Sequence, residues 1–280
     1  MEVVMKKRKS LYLIGGVLTS CFVFLSLGVS RTLIADSYNF GPQGELTLKL
    51  AVPKQNYVKG EIVPLEIEVA NTSSKNISIK GADVESGYVK IFVSPSNLAF
   101  RQYLPGGVRK KTGNVVLSGY GTVKSQATIL WNFAPETKDL SDSAVKTYSD
   151  NQLMTDYAFP DAGIYFVKAV LIIPGETMTK IESRAVQIVV GEPIGEDLEV
   201  WNEIRDNGEI AYFVQQNEFR GSVTSVEKEK LLNKIEQLVA DNPNSLLRNQ
   251  LSESVEKFRV SETKRKEFME KLKNRKKSEN

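Results

Sequence analysis

The chain has 280 residues, 41% hydrophobic and 25% charged, with a formal net charge of +3; that length suffices for one large domain or two small ones with a real core. It has no histidine and a single cysteine. These counts exclude a Ser-His-Asp triad, a Cys-His pair, imidazole metal ligands, an intrachain disulfide and a structural thiolate zinc site.

The first predicted element is an export segment over residues 1–35. Lys-Lys-Arg-Lys at 6–9 is followed by an uncharged run from Leu11 to Ser30, a basic n-region before an apolar h-region. Gly28 and Ser30 offer a cleavage site before Arg31, and a later one falls after Ala35. A run of about twenty apolar residues is also long enough to span a bilayer as an uncleaved anchor, with its basic flank in the cytoplasm. Leu18-Thr19-Ser20-Cys21 resembles the bacterial lipobox, which implies lipidation of Cys21. The apolar stretch from Phe22 to Val29 departs from the polar tether expected there, and an unmodified Cys21 is simply a small hydrophobe. All three readings place residues 41–280 outside the cytoplasm, in a secreted, periplasmic or membrane-anchored form.

Residues 41–192 carry a period of two. Leu46, Leu48 and Leu50 alternate with polar neighbours, as do Ile62, Leu65, Ile67 and Val69, with Pro64 marking an edge or bulge. Further runs cover Ile77 to Ile79, Tyr88 to Val93, Val115 to Leu117, Val123 to Phe133, Gly163 to Ile173 and Thr177 to Val190. Pro174-Gly175-Glu176, between the last two, predicts a hairpin. Seven to nine short strands without a helical period predict an antiparallel β-sandwich. Tyr57-Val58-Lys59-Gly60-Glu61 followed by Pro64 to Asn71, and Phe159 to Val167 with Gly163 and Tyr165, resemble bacterial immunoglobulin-like or fibronectin-type-III-like modules. The resemblance covers about half the chain. It implies a corner contact from Tyr165 to backbone and, without an inter-sheet disulfide, packing of Trp131 against aliphatic residues. Residues 134–162 break the rhythm as a long polar loop. Its Asp139, Asp142, Asp150, Asp156 and Asp161 lack calcium-loop spacing and read as a solvated insertion.

From residue 193 the period becomes helical. Leu198, Trp201 and Ile204 predict a short capping helix, with a linker to residue 221. Over 222–280, Thr224 and Glu227 form a capping-box pattern, and Leu231, Leu232, Ile235, Leu238 and Val239 an apolar stripe. Asp241-Asn242-Pro243-Asn244 stops that helix, and Asn244 or Ser245 caps another bearing Leu247, Leu251, Val255 and Phe258. The unit resembles half of a tetratricopeptide-type array, although such arrays stack about three repeats; a plain αα-hairpin fits the same residues. Residues 261–280 read as a fraying, solvated helix with weak apolar marks at Phe268, Met269 and Leu272. Lys264, Arg265, Lys266, Lys271, Lys273, Arg275, Lys276 and Lys277 oppose four glutamates there, a candidate patch for an anionic surface.

The chain contains no phosphate-binding loop, dinucleotide fingerprint or nucleophile elbow. Carboxylate pairs of the glycosidase kind stay open, because space and not sequence sets their separation. The expectation is a non-enzymatic cell-envelope protein without a cofactor or metal, whose β-sandwich binds or scaffolds a protein or envelope polymer and not nucleic acid. Two alternatives stand beside it: a carbohydrate-binding or carbohydrate-active module, and a membrane-anchored adaptor that uses the C-terminal helices.

Overall fold

The structure is a computed structural model and describes residues 33–35, 37–38, 45–104, 113–132, 156–176 and 178–278. The chain divides into Met1–Ser30 and Arg31–Asn280, and all described residues belong to the second unit. It is mainly β, with a helical C-terminal region.

Two sheets share one apolar core. The four-stranded sheet has the order β1 (Leu33–Ala35), β3 (Leu46–Val52), β5 (Val63–Asn71) and β10 (Thr122–Ile129). All its pairings are antiparallel. The predicted alternation is realised: Leu48, Leu50, Leu65, Ile67 and Val69 are buried, while Glu66 is exposed. Pro64 pairs with Thr128 but lies past the end of the β3 ladder, which stops at Glu66. There β5 has one neighbour, so a residue without an N–H is tolerated.

The larger sheet centres on β13 (Gly163–Ile173). One edge of β13 pairs with β7 (Val89–Ser94), which pairs with β8 (Arg101–Tyr103). The other edge pairs first with β14 (Thr179–Ser183), through the predicted hairpin, and then with β15 (Val186–Gly191). Arg184 and Ala185 interrupt the strand between them. The buried Ser183 hydroxyl fills this gap, accepting the Ala169 N–H at 2.9 Å and lying 2.9 Å from the Arg184 carbonyl. A buried N–H would otherwise be stranded. Strand β2 (Ser37–Tyr38) pairs with β14, and β4 (Asn56–Val58) runs parallel to β15. Residues 33–35 therefore join one sheet and residues 37–38 the other. Two short pairs complete the β structure, β6 (Ile77–Ile79) with β9 (Val115–Leu117) and β11 (Trp131–Asn132) with β12 (Asp156–Tyr157).

Strands β4, β8 and β12 were absent from the sequence expectation, because each has only two or three residues and no alternation to read. Leu33–Ala35, at the end of the expected export segment over residues 1–35, pairs with β3. Between 134 and 155 the loop lies outside the described residues, with Asp139, Asp142 and Asp150. Its end does not behave as a solvated insertion, since Tyr157, Ala158 and Phe159 are buried.

A second core joins four helices to one end of the β region. They are α1 (Glu196–Arg205), α2 (Gly208–Gln216), α3 (Ser225–Asp241) and α4 (Arg248–Ser278). The expected linker up to residue 221 thus contains a helix whose Ile210, Ala211, Phe213 and Val214 are buried. Asn207-Gly208 reads as a turn, but the Asn207 carboxamide accepts the Glu209 and Ile210 N–H groups and so begins α2. The capping box at Thr224 and Glu227 is present. The α3–α4 turn is clamped onto α1. Glu196 accepts the backbone N–H and side-chain amide of Asn244, and Asp197 accepts the Ser245 hydroxyl and the Leu246 N–H. The expected solvated helix over 261–280 is the exposed continuation of α4, which is helical as far as Ser278.

Candidate functional site: a lysine-lined groove on the larger sheet

Strand alternation builds this site directly. In β13 the odd residues Tyr165, Val167, Ala169 and Leu171 enter the core, which turns Lys168, Val170 and Ile172 to the other face. The registers then place Lys168 beside Phe92, Val170 between Lys90 and Glu182, and Ile172 beside Lys180. Phe100 and Met178 form the rim from the adjoining loops. Together these residues line a groove of about 410 Å³, within the size range of small-ligand clefts.

The floor is apolar and the walls are cationic. Lys168 Nζ is held 2.7 Å from Glu182 and 4.6 Å from the Phe100 ring centre, a cation–π contact. Lys90 and Lys180 have no such partner, and no described carboxylate lies within ion-pair distance of either. Partial burial, and then the positive charge of Lys180, push the Lys90 ammonium below its usual pKa. Such a like-charged pair over an apolar floor favours an anion between the two groups.

The outer face of the four-stranded sheet has no comparable charge imbalance. There Glu68 sits between Lys49 at 3.3 Å and Lys124 at 3.5 Å. That face balances its own charge, as solvated sheet faces ordinarily do.

The residues singled out from sequence lie elsewhere. Cys21 is outside the described residues. The Tyr165 hydroxyl makes the expected corner contact: it donates to the Asp161 carbonyl at 2.9 Å and accepts the Asp161 N–H at 3.2 Å. Gly163 opens β13, where an added Cβ would meet nothing. Trp131 packs against the second core, which includes the aliphatic Leu130, Ile204 and Ile210; it also lies edge-on to Tyr157 at 4.8 Å, and Tyr157 is 4.7 Å from Trp201. The reason is local, because β11 turns away from the sheets to pair with β12 beneath α2. Lys264, Arg265, Lys266, Lys271, Lys273 and Arg275 lie on the exposed half of α4. Lys276 and Lys277 belong to the same helix, with side chains outside the described residues. The structure brings none of these to the groove.

Lys90, Lys168 and Lys180 were missed by sequence reasoning. A signal was available in Val167-Lys168-Ala169-Val170-Leu171-Ile172-Ile173. That run is apolar on both faces, and a strand facing only one core would alternate.

Among the described residues there is no group of three or more acidic or thiol side chains able to hold a metal. No helix among them is long and apolar enough to cross a membrane.

No family model matches the chain, and no curated protein matches it. Solved structures give distant likenesses. The C-terminal domain of wzt aligns at a TM-score of 0.32 and 9% identity, over 56% of this chain and 80% of that one. A β-glucosidase from Listeria innocua in complex with glucose aligns at 0.26 and 12%, over 52% of this chain and 16% of the enzyme. A β-glucosidase from Erythrobacter marinus gives 0.23 and 11%, over 57% and 16%.

Proposed function

We propose that the chain is an exported, non-enzymatic cell-envelope protein whose β region, an immunoglobulin-like sandwich, binds an anionic envelope polymer in the lysine-lined groove. The observation that carries this reading is the uncompensated pair Lys90 and Lys180 above Val170 and Ile172. A carboxylate or phosphate between the two ammonium groups relieves their repulsion, and the non-polar face of the same unit covers the floor. The partner class is a uronate-rich or phosphate-rich polymer.

The sandwich reading is supported by two sheets sharing one core, by residues 33–35 and 37–38 pairing in different sheets, and by the Tyr165 corner contact. Export is supported by the basic and apolar runs of residues 6–30. Cleavage after Ser30 preserves β1, whereas cleavage after Ala35 removes it.

The test is titration of the chain with polygalacturonate and with polyphosphate at low and high salt. Binding to at least one polymer that weakens with salt is expected, with at least a tenfold loss in the Lys90→Gln/Lys180→Gln variant. The Lys49→Gln/Lys124→Gln variant of the opposite sheet should bind like the parent. Equal loss in both variants, or no binding to either polymer, overturns the groove as the site.

A further inference from the structure

Helix α4 is longer than its packing requires. Leu251, Val255 and Phe258 belong to the second core, whereas from Arg259 to Arg275 every residue except Glu262 is exposed. The exposed half nevertheless carries large apolar side chains: Phe268, Met269 and Leu272 are 60%, 50% and 37% exposed. On a helix advancing about 100° per residue, these three occupy an arc of roughly 100°.

The charges are ordered around that arc. Lys264, Lys271 and Arg275 flank it on one side, and Lys266 and Lys273 on the other, each roughly 65–115° from its centre. Glu267 and Glu270 lie about 150° away, on the opposite face. Arg265 falls within the arc and pairs with Glu262 at 3.6 Å. Glu262, one turn nearer the second core, lies about 70° from the centre and is taken up by Arg265. Beyond it, apolar residues bordered by cations with the remaining acids turned away are the pattern of a helix lying in a membrane interface.

We infer that the C-terminal half of α4 docks on an anionic lipid surface, with Phe268, Met269 and Leu272 entering the acyl boundary and the flanking lysines meeting headgroup phosphates. A second copy of the chain is a poorer occupant. Three apolar side chains over two turns fall well short of the roughly 1,200 Å² that a stable protein interface buries. An acidic polymer would satisfy the lysines and leave the apolar arc in water. The inference rests on the envelope location proposed above but not on the groove.

The experiment uses the full chain carrying Cys21→Ser and Met269→Cys, labelled at residue 269 with an environment-sensitive fluorophore. The probe is local, so vesicle binding by the N-terminal segment leaves its emission unchanged. Vesicles containing 30 mol% phosphatidylglycerol should shift the emission to the blue, and pure phosphatidylcholine should not. A label at Glu267→Cys, on the opposite face, should stay as in buffer. Changing Lys264, Lys271 and Lys273 to Gln should weaken the lipid-dependent shift on the order of a hundredfold, at about fivefold per lysine. An unshifted probe on anionic vesicles, an equal shift on neutral ones, or a shift that follows protein concentration without lipid would each overturn the inference. The Lys90→Gln/Lys180→Gln variant should keep the full shift, which separates this result from the fate of the groove.

Discussion

One buried hydroxyl sits at the joint between the β region and helix α2. Tyr103 is 1% exposed, and its Oη lies 2.7 Å from the Trp131 carbonyl and 2.8 Å from Gln215 Oε1 while accepting the Leu130 N–H at 3.3 Å. Gln215 Oε1 also accepts the Trp131 N–H at 2.6 Å. Tyr103→Phe keeps the ring and removes the hydroxyl. Gln215 retains one donor, but the buried Leu130 N–H is stranded and the Trp131 carbonyl loses its nearest donor. A stranded buried group costs about 1–3 kcal/mol, so the expected loss is about 3 kcal/mol. For a chain of this size that corresponds to a fall in Tm of about 6–12 °C. Urea melts and calorimetry measure it. Gln215→Leu should destabilise by a similar amount. The double variant should fall short of the sum, because both changes dismantle one network. A Tyr103→Phe change below about 0.5 kcal/mol, or strict additivity of the two, would refute the claim that this network joins the parts.

Other consequences follow from the same contacts. Burial pushes the Tyr103 hydroxyl well above its usual pKa and the Tyr57 hydroxyl up to about 12. The unfolded chain ionises first, so stability should fall as pH rises above about 10; alkaline urea melts should show a gentler fall for Tyr103→Phe. Lys90→Met removes a like-charge contact, so it should stabilise the free protein by up to about 1 kcal/mol while weakening polymer binding. Thermal melts without ligand read the first effect and polymer titration the second. Gly60 has φ near +88°, and an added Cβ would lie 2.6 Å from the Trp201 ring. Gly60→Ala should therefore cost about 2 kcal/mol or more, measured by urea melts. Asp197→Ala deprives the Ser245 hydroxyl and the Leu246 N–H of their acceptor. It should cost about 1–2 kcal/mol and raise hydrogen exchange in the α3–α4 turn ahead of the strands.

The long elements were legible because one repeating rule set them. In β3, β5 and β13 every second residue is apolar, and in α3 the stripe and capping box fix both face and start. Helix α2 was hidden because Asn-Gly serves equally well as a turn and as a helix cap. Only burial of Phe213 and Val214 against α4 and Phe219 favours the cap. The surroundings of Trp131 were hidden for a similar reason. Its β-like neighbours say nothing about the aromatic chain from Trp131 through Tyr157 of β12 to Trp201, whose last step crosses more than forty residues of sequence. The run Val167 to Ile173 hinted at a second apolar face, but the groove's lysines come from three strands, and only the register sets Lys90 and Lys180 on either side of Val170 and Ile172.

That placement carries a physical argument of its own. The two sheets face solvent under identical conditions, and the chain treats them differently. On the smaller sheet Glu66 and Glu68 stand against Lys49 and Lys124, so the face is electrostatically settled. On the larger sheet Glu182 is committed to Lys168, and nothing among the described residues answers Lys90 or Lys180. A carboxylate at Ile172 or Gln102 would settle that face too, since both positions border the lysines. The outer surface instead keeps an apolar floor, a depressed lysine pKa and a concave shape. The like-charged lysines and the apolar floor each disfavour the free face, and the proposed binding of an anion with a non-polar face rests on that.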